Sequence, residues 1–150
     1  MIKLNRKVEY SLMVLKFMSE RAPTELTSAR EVCDRYKAPF DTLAKVMQQL
    51  NMAGILVSVK GVKGGYYLNF DLSKLSVLAL VELIEGKSFT VDCHEGPCEL
   101  LSTCNISAPI RRLNDYVTSI FTTLSVRELL ADNAPSLKLA PQCPSFKEHA

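Results

Sequence analysis

The chain has 150 residues, 47% of them hydrophobic, and a formal net charge of +2. That is one domain, or one small domain with an appendage, with enough apolar material for a core and no run long enough to span a membrane. Residues 1–75 carry 12 Lys and Arg against 7 Asp and Glu (+5), and residues 76–150 carry 6 against 9 (−3). Ordinary scatter of surface charge produces such a split; so does a nucleic-acid-binding front half joined to a regulatory rear half.

The N-terminal apolar stretch is broken by Glu9 and Lys16 and is followed by no small-residue cleavage site, so it is not read as a signal peptide. A cytoplasmic protein with reduced cysteines is the expectation. Asn5 can cap a first helix running to about Glu20, with Val8, Leu12, Leu15 and Met18, flanked by Met13 and Phe17, as its buried stripe. Arg21-Ala22-Pro23 ends it. Ser28 and Glu31 have capping-box spacing and open a second helix, whose Ala29, Val32, Cys33 and Tyr36 recur at i, i+3, i+4, i+7. Cys33 therefore belongs to the core.

After a short turn at Lys37-Ala38, Pro39 suits the first position of a third helix with Leu43, Val46, Met47 and Leu50 inside. Gly54 suits the left-handed residue just past its end. Two short helices joined by a tight turn outline a helix-turn-helix. The outer face of the third helix presents Asp41, Thr42, Ala44, Lys45, Gln48 and Gln49. These short, amide and cationic side chains suit base edges in a major groove, although a solvated helix face has the same composition.

Residues 55–59 form a strand pattern, residues 60–65 a glycine-rich turn holding Lys60 and Lys63, and residues 66–69 a returning strand. A hairpin placed directly after a helix-turn-helix is a wing, whose lysines can reach phosphates or the minor groove. The glycine-rich turn lacks the phosphate-cradling P-loop pattern.

Ser76 caps a helix from about Val77 to Glu85, ended by Gly86. Next comes a loop with Cys93, Cys98 and Cys104, separated by four and five residues, with Gly96 and Pro97 to turn the backbone. Thiolates this close can converge on zinc or an iron–sulfur group. Buried small hydrophobes are the bland alternative, disfavoured by the polar loop. Five cysteines without an export signal argue against a disulfide framework. Pro109 opens a longer helix with Ile110, Leu113, Val117, Ile120 and Leu124 at 3-4-3-4 spacing, a seam for a homodimer or for packing on its own domain. Ser125 and Glu128 form a second capping box ahead of a short helix ending near Asp132. Residues 133–150, with Pro135, Pro141, Pro144 and a bystander Cys143, look like an extended tail. The fold class is thus mostly α with a small β-hairpin. It divides into a winged helix-turn-helix (1–75), a cysteine loop with a long dimerisation helix (76–132), and the tail.

In order along the chain, Arg30-Glu31-Val32, Ala38-Pro39-Phe40, the turn from Gly61 to Tyr67, the loop with Val91-Asp92-Cys93, Pro97-Cys98 and Cys104, and the segment from Leu124 to Leu130 resemble the Rrf-two family of bacterial transcription regulators. The likeness covers roughly residues 1–132, and the cysteine loop is closest to the NsrR kind. The resemblance implies a winged helix-turn-helix homodimer on a double-stranded DNA operator. It implies that Cys93, Cys98 and Cys104 hold an iron–sulfur cluster, [2Fe–2S] or [4Fe–4S], whose state alters DNA affinity.

Relatives of the IscR type take a fourth ligand from a histidine three residues after the last cysteine. Ser107 stands there instead. Relatives of the NsrR type use a carboxylate near the start of the first helix, and the matching residue is Glu9, donated from the other subunit. His94 competes for that place, and Glu95 and Glu99 are weaker candidates. The resemblance also puts Thr42, Ala44 and Lys45 at base-reading positions and Lys60 at the family's basic wing position. Ala44 replaces a longer residue of IscR, so site preference does not transfer.

The expected function is a cluster-dependent DNA-binding regulator, a repressor responding to nitric oxide, redox or iron–sulfur status, and not an enzyme. One alternative is the same fold with zinc or a bare thiol switch in the loop. A second, from another class, is an iron–sulfur electron carrier, which would need no basic recognition helix.

Overall fold

The computed structural model describes residues 4–86, 98–100 and 103–133. Three helices, α1 (Arg6–Ser19), α2 (Ala29–Tyr36) and α3 (Phe40–Met52), lead into an antiparallel hairpin of β1 (Leu56–Val59) and β2 (Gly65–Leu68). A 3₁₀ turn (Leu72–Lys74) and the helices α4 (Val77–Glu85), α5 (Ser107–Thr123) and α6 (Val126–Leu130) follow. This is the mostly helical architecture with one small hairpin expected from the sequence.

Local chemistry sets most boundaries. Asn5 caps α1, its side chain accepting from the Lys7 N–H at 3.1 Å. Ser76 caps α4, accepting from the Ala79 N–H at 3.1 Å, and Gly86 closes that helix in the left-handed region at φ 72°. The box at Ser125 and Glu128 is complete: the Ser125 hydroxyl accepts from the Glu128 N–H at 3.2 Å and the carboxylate accepts from the Ser125 N–H at 2.9 Å. The Ser125 hydroxyl, which also donates to this carboxylate at 2.6 Å, and then the Ser125 N–H hold the Glu128 carboxyl below its ordinary pKa.

The expected box at Ser28 is only half made. Its hydroxyl accepts from the Glu31 N–H at 3.1 Å, but the Glu31 carboxylate turns instead to Arg21, 2.8 Å away. Pro39 is the cap and not the first helical residue. Tyr36, expected on the buried face, is 39% exposed and meets Phe17 edge-on at 5.9 Å.

Arg21 is the hub that this rearrangement serves. Its Nη2 donates to Glu25 at 2.5 Å and its Nη1 to Glu31 at 2.8 Å and to the Thr27 hydroxyl at 3.0 Å. The guanidinium also lies 4.8 Å from the Phe17 ring centre. Thr27 is fully buried and bridges Tyr66 of β2, exchanging N–H···O bonds of 2.8 and 2.9 Å. One planar cation therefore ties the end of α1 to the start of α2 and to the root of the hairpin. Arg21→Ala is expected to cost about 2 kcal/mol, because it strands the buried Thr27 hydroxyl and dissolves three charge-assisted bonds. Arg21→Lys should recover less than half, since a point charge cannot fork. Urea denaturation checks this, and a loss under 0.5 kcal/mol would remove Arg21 from that role.

The core is one apolar cluster. Leu43, Val46, Met47 and Leu50 of α3 are fully buried, as their spacing predicts, against Val8, Val14 and Leu15 of α1. Val77, Leu80, Val81 and Ile84 of α4 and Val126 of α6 complete it. The starts of α4 and α6 are laced together by the Val77 N–H to Leu124 carbonyl bond (2.9 Å) and the Val126 N–H to Leu75 carbonyl bond (2.8 Å). Lys16 of α1 reaches across to donate to the Leu130 carbonyl at 2.9 Å and to Asp132 at 2.8 Å.

In contrast, α5 buries no residue. Of its expected seam, Ile110, Val117 and Ile120 are half-buried and Leu113 is 55% exposed. Leu124 lies past the helix end and packs on the core instead.

Candidate functional site

Two surfaces carry the residues singled out from the sequence. The first is the outer face of α3 with the hairpin beside it. On α3, Asp41, Lys45, Gln48 and Met52 are exposed, and at i, i+4, i+7, i+11 they form one line along the helix. Thr42, Ala44 and Gln49 are half-buried on its flanks. Lys45 and Gln48 thus stand free in solvent, whereas Thr42 and Gln49 are partly covered by their neighbours.

Sequence reasoning missed the apolar members of this surface. Phe40 is 49% and Met52 82% exposed, one at each end of α3. Met52 falls opposite the inner face at 43, 46, 47 and 50, which was the available signal. Phe40 has the spacing of that face (40, 43, 47) and yet stays half exposed at the first position of the helix. Apolar side chains on a reading helix suit thymine methyl groups.

The hairpin is held in register by the pairs from Leu56↔Leu68 to Val59↔Gly65. Its turn closes through the Gly64 N–H donating to the Gly61 carbonyl at 2.9 Å. Lys60 and Lys63 are exposed there, and Val62 between them is wholly exposed. Gly64 and Gly65 are required by crowding: a Cβ on Gly64 would lie 2.4 Å from the Val59 carbonyl oxygen, and one on Gly65 2.9 Å from that of Thr27. The start of β2 is therefore bound to the backbone that leads into α2, and the lysines sit on a turn anchored there.

The second surface carries the thiols. Cys98 is exposed and Cys104 half-buried, both as free thiols. Cys104 sits two residues before Ile106, the cap of α5. Cys93, His94 and Glu95 lie outside the described residues, as do residues 134–150 with Cys143. Glu9 is exposed in the first turn of α1 and pairs with Arg6 at 3.4 Å. Among the described residues of one chain, no three His, Cys, Asp or Glu side chains gather as a metal site, so Glu9 is not brought to Cys98 and Cys104 within a subunit. Cys33 is buried in the core, and that burial, with Asp34 second, pushes its thiol pKa up, making it a poor ligand or nucleophile. The donor chemistry suits an iron–sulfur group: two soft sulfurs are available on a short segment, neither spent in a disulfide.

Comparison with known proteins bears on this arrangement. Residues 4–132 match the family model Rrf2, described as iron-dependent transcriptional regulator. The chain belongs to the Rrf2 (Rrf-two) family. Solved Rrf2-like structures share the fold. A Listeria innocua protein superposes with a TM-score of 0.71 at 21% identity, covering 97% of this chain and 96% of its own. CymR, the global cysteine regulator of B. subtilis, gives 0.66 at 20% identity over 87% and 97%. IscR of T. potens gives 0.65 at 16% identity over 94% of each chain. As an Rrf2 protein the chain is a transcriptional regulator, and α2 and α3 with the hairpin form the winged helix-turn-helix fold of that family. Among the described residues no helix is long and apolar enough to cross a membrane.

Proposed function

We propose that this Rrf2 regulator binds its operator as a homodimer and represses transcription according to the state of an iron–sulfur cluster. Cys93, Cys98 and Cys104 are its sulfur ligands, and Glu9 of the second subunit is the fourth. The observation that carries this reading is the pair of free thiols, Cys98 and Cys104, on the segment that runs straight into α5. The uncovered apolar side chains of α5, with Leu113 and Tyr116 55% and 70% exposed, supply a surface for a second subunit.

When bound, the cluster supplies a labile, redox-active centre. A carboxylate is a harder ligand than a thiolate and gives iron up more readily, which suits a sensor of nitric oxide, redox or iron–sulfur status. Glu9 stands on α1, and α1 packs directly against the reading helix α3. A ligand at Glu9 therefore couples the centre to the DNA surface through a rigid helix pair.

Anaerobic reconstitution tests the proposal. Bound iron and sulfide are expected, with DNA affinity differing between loaded and stripped protein. An iron-free result after reconstitution would reject the cluster and leave DNA binding standing. A second reading, a bare thiol or zinc switch in the same loop, draws support from the exposure of Cys98 as a free thiol. Zinc in the metal analysis, or DNA release by oxidant alone, would favour it.

Glu9→Ala is expected to leave a dimer whose cluster decays faster in air, followed by absorption. An unchanged lifetime would reject the cross-subunit ligand. Lys45→Ala and Lys60→Ala should each weaken operator binding about tenfold with the cluster intact. If Lys60 meets phosphate, its loss also lowers the salt dependence by about one contact. Binding isotherms at several salt concentrations check both.

A further inference from the structure

We infer that the hollow between β2 and α6 is a binding site for a small organic anion with an apolar or aromatic body, and that filling it biases DNA binding. The hollow has a volume of about 680 Å³, within the range of sites that take small molecules. Among the described residues no thiol lines it, neither Cys33, Cys98 nor Cys104.

Its chemistry is two-sided. Three cations, Lys16, Arg21 and Arg127, face one carboxylate, Asp132, in the wall, and the apolar part of the wall includes Tyr67 and Phe70. Two of the cations are already committed. Lys16 donates to Glu20, Asp132 and the Leu130 carbonyl, and Arg21 to Glu25, Glu31 and Thr27. Arg127 is different. Its ion pair with Asp71 is long, at 3.5 Å, and the same Asp71 oxygen accepts from the Ser73 N–H at 3.0 Å and hydroxyl at 2.8 Å. The Arg127 side chain is 67% exposed. Its planar fork is thus open to a carboxylate, sulfonate or phosphate entering the hollow, while the ligand's apolar body lies on Phe70 and Tyr67.

Position gives the site its consequence. Tyr67 is a hairpin residue paired with Val57, and Arg127 stands in the first turn of α6. A ligand spanning the two fixes the hairpin against α6 and so restrains the surface that carries Lys60 and Lys63. A ligand that binds one hairpin position better than another shifts DNA affinity by that difference.

The test uses full-length protein and 8-anilinonaphthalene-1-sulfonate as probe. Saturable binding of one probe per chain is expected, with backbone amide shifts at residues 67–70 and 127–131. Arg127→Gln should weaken it about tenfold or more, and Phe70→Ala, a change at a part-exposed edge, should weaken it independently. Saturating probe should change operator affinity at least about threefold in the parent and not in Arg127→Gln. Shifts centred on Leu113 and Tyr116 of α5 would overturn the assignment. Equal binding by Arg127→Gln, or by the uncharged N-phenyl-1-naphthylamine, would overturn the anion specificity. Unchanged operator affinity with the hollow filled would overturn the coupling.

Discussion

Replacing Cys98 or Cys104 with alanine is expected to abolish iron and sulfide retention in anaerobically reconstituted protein while the winged helix stays folded. The physical ground is the contrast with Cys33. Cys98 is exposed and Cys104 half-buried, so neither thiol contributes much to packing, and each substitution should cost under about 0.5 kcal/mol. Cys33 is 9% exposed within the core, and Cys33→Ala should cost about 1 kcal/mol and keep the iron. Iron and sulfide analysis beside urea denaturation separates the two kinds of cysteine. Full iron content in both Cys98→Ala and Cys104→Ala would end the proposal that this segment holds a cluster. Iron loss in Cys33→Ala at unchanged stability would move the ligand set into the core.

Gly64→Ala should cost about 1–3 kcal/mol and at least about tenfold in operator affinity. The added Cβ would sit 2.4 Å from the Val59 carbonyl oxygen and 2.9 Å from that of Gly61. Both are backbone atoms, so no side chain can swing aside, and the turn itself must open. Opening it breaks the Gly64 N–H to Gly61 carbonyl bond and displaces Lys60 and Lys63 together. The affinity loss should exceed that of Lys60→Ala alone, because two cations move instead of one. Gly65→Ala acts one step further back, against the Thr27 carbonyl at 2.9 Å, and should loosen the hairpin from α2. Parent-like DNA binding and stability for Gly64→Ala would mean that the hairpin tip neither holds its shape nor touches DNA.

Much of the frame follows from short-range pattern. The inner face of α3, the serine caps of α4 and α6, the asparagine cap of α1 and the glycine stop of α4 each depend on residues within one or two turns. The lysine-bearing hairpin also follows, since a glycine-rich turn between two apolar runs has few other solutions.

What local pattern misjudged was settled by distant partners. Glu31 has the spacing of a capping residue, yet Arg21 lies close enough to take its carboxylate. Tyr36 has core spacing, yet the ring of Phe17 meets it at the surface. Leu124 continues the α5 repeat, yet the chain turns before it and sends it into the core.

Residue order by itself determined the helices, the hairpin, the buried face of α3 and which cysteines stand in a polar loop. All are matters of period and neighbour chemistry over a few residues. Tertiary structure alone decided that Thr42 and Gln49 are half-buried on the flanks of that outer face, and that α4 and α6 close one core with α1 and α3. It alone placed Arg127 beside a hollow next to the hairpin. These depend on side chains separated by tens of residues, and how far a flanking residue is covered is set by what packs alongside, which the period within one helix does not encode.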